Sequence, residues 1–213
     1  SSNGGLASNY NALSTTGSSY TVTAKGITLT GISAADKTYD ATTTATLNTA
    51  SVAYSGLVGG DTVTLAGSGT GSFADKNAGV NKAVSVSGYT LSGADAGNYV
   101  VTQPSGLTAT IGKASLAVSG ISAANKTYDA TTGATLSGTA AVSALGSDSV
   151  TVAGSGTGNF ADANAGVGKA VTVTGYALGG TDAGNYNLVQ PAGVTATIRK
   201  AETVAIGSII QLK

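Results

Sequence analysis

The chain repeats itself. Gly31–Leu47 reads GISAADKTYDATTTATL and Gly120–Leu136 reads GISAANKTYDATTGATL, 89 positions apart. Gly67–Asp75 (GSGTGSFAD) returns as Gly154–Asp162 (GSGTGNFAD), 87 positions apart. The spacing of 87 also holds for DAGNY at 95–99 and 182–186, and for TATI at 108–111 and 195–198. The two-residue loss falls between Leu47 and Asp61, so a variable loop is expected there. A period of about 88 residues is that of a small domain, and the expected organisation is module 1 at 25–112 and module 2 at 113–199. Residues 1–24 read as the end of a preceding, diverged repeat. Residues 200–213 read as the start of a next repeat or a tail, because Lys200-Ala201 matches Lys113-Ala114. The chain has no Met and is expected to be a segment of a longer array.

Within a module the pattern is that of short strands. Val63 and Leu65, Val84 and Val86, and Val171 and Val173 alternate with Thr, Ser and Ala. Alternation of β-branched residues fits half-buried strands. The 32 glycines oppose long helices, while Ser33–Asp36 fits one short helical turn. About seven strands are expected in module 1, near 26–32, 44–47, 50–55, 62–66, 82–88, 98–103 and 107–112. Leu57–Asp61 and Ala66–Gly71 read as turns. Asp95-Ala96-Gly97-Asn98-Tyr99 and Asp182–Tyr186 have the D-x-G-x-Y form of an immunoglobulin-type tyrosine corner, in which the phenol bonds back to nearby backbone. The expected fold is all-β, with tandem immunoglobulin-like β-sandwich modules forming an elongated rod. A β-grasp-like module is the alternative. Only four residues, Gly112–Ser115, lie between Ile111 and Leu116, so the modules should join almost strand to strand.

Composition removes several classes of function. Ten basic residues balance ten acidic ones, which gives no cationic face for nucleic acid. No apolar run approaches the length of a membrane span. The chain lacks both Cys and His, so disulfides, thiolate metal sites and the usual neutral-pH general base are missing. No enzymatic activity is expected.

Lys37-Thr38-Tyr39-Asp40 and Lys126-Thr127-Tyr128-Asp129, each followed by DAGNY and then TATI, resemble the YDG/MBG-type repeats of large bacterial adhesins of the filamentous-haemagglutinin-like kind. The glycine usual after Tyr-Asp is here Ala41 or Ala130. The resemblance implies stalk or spacer repeats of an adhesin on an extracellular, Gram-negative cell surface. Such repeats would project a binding region and support adhesion or biofilm formation. It implies neighbouring repeats of the same chain as partners, and no cofactor.

The remaining candidates are weighed on their recurrence. Asp40/Asp129, Asp61/Asp148, Asp75/Asp162 and Asp95/Asp182 recur in step. They fit either turn chemistry or calcium held by carboxylates and loop carbonyls. Tyr39, Tyr99, Tyr128 and Tyr186 recur as well and are assigned, with Asp40, Asp95, Asp129 and Asp182, to the scaffold. Tyr54 has no counterpart. It is the residue chosen for contact with a surface glycan or matrix polysaccharide if the module binds one directly.

Overall fold

The computed structural model describes Gly17 and residues 21–202. The expected preceding repeat (1–24) and terminal tail (200–213) therefore lie largely outside the described residues. Module 1 contains β1 (Lys25–Thr30), β2 (Ser33–Ala34), β3 (Lys37–Thr38), β4 (Thr44–Ala45), β5 (Leu47–Asn48) and β6 (Ala53–Ser55). It continues with β7 (Thr64–Ala66), β8 (Thr70–Phe73), β9 (Gly79–Ser87), β10 (Thr90–Ser92), β11 (Tyr99–Thr102) and β12 (Leu107–Gly112). Module 2 repeats the series as β13 (Ala114–Ala117), β14 (Ser119–Ala123), β15 (Lys126–Thr127), β16 (Gly133–Ala134), β17 (Leu136–Ala141) and β18 (Thr151–Ala153). It ends with β19 (Thr157–Phe160), β20 (Gly166–Thr174), β21 (Ala177–Gly179), β22 (Tyr186–Val189) and β23 (Thr195–Arg199).

The chain is all-β, and its sheets curl in a barrel-like way. Each module carries a five-stranded sheet, ordered β3-β12-β9-β8-β4 and β15-β23-β20-β19-β16. Each also opens on a parallel pair, with Ile27 opposite Val101 in β1–β11 and Leu116 opposite Leu188 in β13–β22. The expected seven strands become twelve because several are only two or three residues long. Ser33–Ala34, expected to be helical, is strand β2 paired with β5. A β-grasp module needs a helix laid across its sheet. Among the described residues the only helical segments are two 3-10 turns, Ala96–Asn98 and Ala183–Asn185, which corrects that alternative. Neither is long and apolar enough to cross a membrane.

Alternation fixes which face is buried. In β9, Val84 and Val86 turn inward while Ala83, Ser85 and Ser87 stay toward solvent. Phe73 from β8 and Ala109 and Ile111 from β12 complete that layer, and β20, β19 and β23 repeat it with Val171, Val173, Phe160, Ala196 and Ile198. The solvent face uses hydroxyls across strands, as in Thr64–Ser92 at 2.8 Å and Thr70–Ser87 at 3.2 Å. The two-residue difference between copies is absorbed after β5. Module 1 turns there at Thr49–Val52, where the Ala50 amide donates to Asn48 Oδ1 at 3.1 Å, and module 2 runs straight through as β17.

The apolar core does not stop at the module boundary. One cluster joins Leu29, Tyr39, Phe73, Val84 and Ile111 of module 1 to Ala114, Leu116 and Tyr186 of module 2. A smaller cluster of Ile27, Val63 and Tyr99 closes the other end of module 1. The far sheet of module 2 has its own cluster around Ile198.

Tyr89 shows how glycine shapes this core. Its buried ring lies on Gly69, where a Cβ would sit 2.1 Å from the ring. Gly156 has the same relation to Tyr176 at 2.4 Å. Gln103 and Gln190 hold each tyrosine by its backbone, with Gln Nε2 donating to the Tyr carbonyl at 2.8 Å. Gly69→Ala must push the ring out of a packed site. It is expected to destabilise the protein by about 1–3 kcal/mol in denaturant titration.

Candidate functional site at the module junction

The K-T-Y-D segment folds on itself. Lys37 Nζ donates to Asp40 Oδ1 at 2.7 Å and to the Thr42 carbonyl at 2.9 Å, while the Thr42 amide donates to Asp40 Oδ1 at 2.9 Å. Lys126, Asp129 and Thr131 repeat this arrangement. The lysines also lie over Phe73 and Phe160, at 5.6 and 5.8 Å from the ring centres, a favourable cation–π arrangement. The Lys126 ammonium, then the Thr131 amide, hold the Asp129 carboxyl down to about 2. This staple bends the chain so that the next residue, Ala41 or Ala130, takes φ of 63° or 61°. That left-handed conformation strains any residue with a Cβ and suits glycine. Ala130→Gly is therefore expected to raise stability by about 1 kcal/mol, read as a higher denaturant midpoint at unchanged slope.

The staple also aims the tyrosine between Thr and Asp. Tyr39, held by its amide to the Gly112 carbonyl at 2.7 Å, reaches across the boundary. Its hydroxyl donates to Asp148 Oδ2 of module 2 at 2.6 Å. Tyr186 donates to the same oxygen at 2.7 Å and accepts from the Leu145 amide at 2.9 Å. Lys76 of module 1 closes the node by donating to Asp148 Oδ1, and its ammonium lies 3.8 Å from Asp182. The Asp148 side chain has no solvent exposure. The rings of Tyr39 and Tyr186 meet edge to face, 5.4 Å apart at 78°. Beside them Asn185, 4% exposed, accepts from the Ala78 amide at 2.8 Å. It also donates to Asn77 Oδ1 at 3.2 Å. No buried side-chain polar atom among the described residues lacks a partner, which is what a polar network needs in order to fix one geometry.

The electrostatics follow from this packing. Burial works to raise the Asp148 carboxyl, but the hydrogen bonds from Lys76, Tyr39 and Tyr186 outweigh it and hold it below the ordinary value of 3.8. Burial and the bond to Asp148 push Tyr186 up to about 12, and the same two causes raise Tyr39 above 10.0. A depressed acid contributes stability that is complete above its unfolded pKa and disappears as pH falls through the folded value. A raised tyrosine contributes stability that is complete below its unfolded pKa and is lost as pH rises through the folded one. With no histidine in the chain, unfolding free energy is expected to be flat between roughly pH 4 and 10 and to fall on both sides. Chemical denaturation across that range checks it, and a step near neutrality would contradict it.

The D-x-G-x-Y segments do different work from the corner expected of them. Tyr99 donates to Asp61 and accepts from the Val58 amide at 3.1 Å, far upstream in sequence rather than a few residues away. Asp95 and Asp182 bind the amides of Thr62 and Ser149 at 2.8 and 2.9 Å. Asp75 and Asp162 pair with Lys82 and Lys169. The recurring aspartates are thus occupied by protein donors. Among the described residues no group of three or more acidic side chains is placed to hold a metal ion. Tyr54 is half-buried in β6 and accepts from the Leu65 amide at 2.7 Å. The cleft of about 400 Å³ near it is lined by Leu47, Thr49, Val52, Leu65 and Tyr89, and its one aromatic ring is buried.

Sequence reasoning found Tyr39, Asp182 and Tyr186 but missed the lysine that completes the node. The signal was a break in the repeat, because Lys76 is replaced by Ala163 in the second copy.

Comparison with known proteins agrees with the repeat. No curated protein and no solved structure was found to match the chain. A family model for the YDG domain matches residues 23–106 and, separately, 112–196. The chain belongs to the YDG domain family and carries two copies of the domain in tandem.

Proposed function

We propose that the two modules are spacer repeats in the stalk of an adhesin on the surface of a Gram-negative bacterium. Their task is mechanical: to hold a binding region away from the cell during adhesion or biofilm formation. The observation that supports this reading is the Asp148 node. Side chains of both modules share one buried carboxylate, and one apolar cluster crosses the same boundary. A joint of that kind resists bending, because any tilt exposes the cluster and separates the tyrosine from its acceptor. A flexible tether between binding modules has no use for such a joint.

In this reading the sandwich-like modules stack end to end as a rod. Strands of six to nine residues plus loops give each module a length on the order of 40 Å. The surface suits exposure in an array, with sparse and balanced charge and an outer face of Thr and Ser. Small-angle scattering tests the proposal. An elongated particle on the order of 80 Å long is expected, and a compact profile would overturn it.

A further inference from the structure

The two outer ends of the pair are the two halves of the joint seen between them. At the module 1 end, the Tyr99 hydroxyl donates to Asp61 and accepts from the Val58 amide, just as Tyr186 donates to Asp148 and accepts from the Leu145 amide. Asp95 and Asn98 stand where the junction has Asp182 and Asn185. Yet among the described residues Asp61 accepts only from Tyr99, and Asn98 is exposed while Asn185 is 4% exposed. At the module 2 end, Tyr128 is held by its amide to the Arg199 carbonyl at 2.8 Å, as Tyr39 is held to Gly112. Tyr39 is 2% exposed and Tyr128 is 44% exposed. Ala78 and Ala41 are half-buried at the junction, and their counterparts Ala165 and Ala130 are exposed.

We infer that each outer end docks a further YDG module head to tail. The Asp61 end accepts a Tyr39-type hydroxyl, and the Tyr128 end supplies one to the aspartate of the next module. The inference rests on the stalk reading and names the partner. It also carries a selectivity. Asp61 has no ammonium beside it among the described residues, so its end favours a neighbour with lysine at the position of Lys76. The Tyr128 end has Ala163 there and offers a hydroxyl without the cation, which makes it the weaker partner.

The test lengthens the full chain by repeating residues 113–199 directly after Arg199, with Tyr128→Phe in the added copy alone, so that the original Tyr128 faces the Asp148 of the added module. Nitration of Tyr128 by tetranitromethane, read by peptide mass, is expected in the original chain and lost in the lengthened one. Ala163→Lys is expected to raise the unfolding midpoint of the lengthened chain by about 2 °C or more and to leave the original unchanged. Equal nitration in both chains, or an equal effect of Ala163→Lys in both, would overturn the inference. The readouts are local to the new joint. The stalk reading stands or falls separately, on the scattering of the original chain.

Discussion

Asp148→Ala is expected to lower stability by about 3 kcal/mol and the unfolding midpoint by roughly 6–12 °C. Breaking a buried ion pair costs about 3–5 kcal/mol when the orphaned charge stays buried. Lys76 keeps a third of its side chain in water and can turn outward, which places the loss at the low end. What remains is the stranding of two tyrosine hydroxyls that share one acceptor. Asp61→Ala is the internal control. That residue has the same place in the repeat but accepts from one tyrosine, so a loss of about 1 kcal/mol is expected. Equal losses at the two sites would mean that the junction adds nothing to what each module does alone.

The second large effect separates local packing from coupling. Ile111 and Ile198 occupy the same place in the two copies, and each is 1% exposed. Truncating either to Ala should cost about 2–5 kcal/mol. The reach of the damage should differ. Ile111 belongs to the cluster that includes Leu116 and Tyr186 of module 2, whereas Ile198 belongs to the far cluster alone. Hydrogen exchange on Ile111→Ala is expected to show lost protection in both modules. Ile198→Ala should weaken the sheet around β23 and leave β9 and β12 protected. Loss confined to module 1 for Ile111→Ala would show that the shared cluster carries no coupling.

Much of this was legible in the sequence. Repetition showed that there are two copies, and alternation found the long strands such as β9, because valines facing in and small or polar residues facing out leave a plain signal. Strand β8 was hidden. Its first inward position is Gly71, pressed against Ala45 and Leu47, so Gly-Ser-Gly-Thr-Gly reads as a turn although its last two residues belong to the ladder. The two-residue strands β2 and β3 were hidden too, since β3 is held by a partner as distant as β12. At the junction the tyrosines were visible as recurring residues, but their shared acceptor was not. Asp148 is separated from Tyr39 by 109 positions, and only stacking brings them together. The third place of the YDG triplet was visible as a departure, and its meaning came from the backbone: a left-handed φ that glycine fits and alanine bears at a cost.

The stiffness of the joint can be measured directly from residual dipolar couplings of backbone amides in a weakly aligned sample. Alignment tensors fitted separately to 25–112 and 113–199 should coincide in magnitude and direction, because the Asp148 node and the shared cluster make the modules one body. They should separate in Asp148→Ala. Tensors of different magnitude in the unmodified chain would mean that the modules move independently, and the joint would not be the rigid coupling described above.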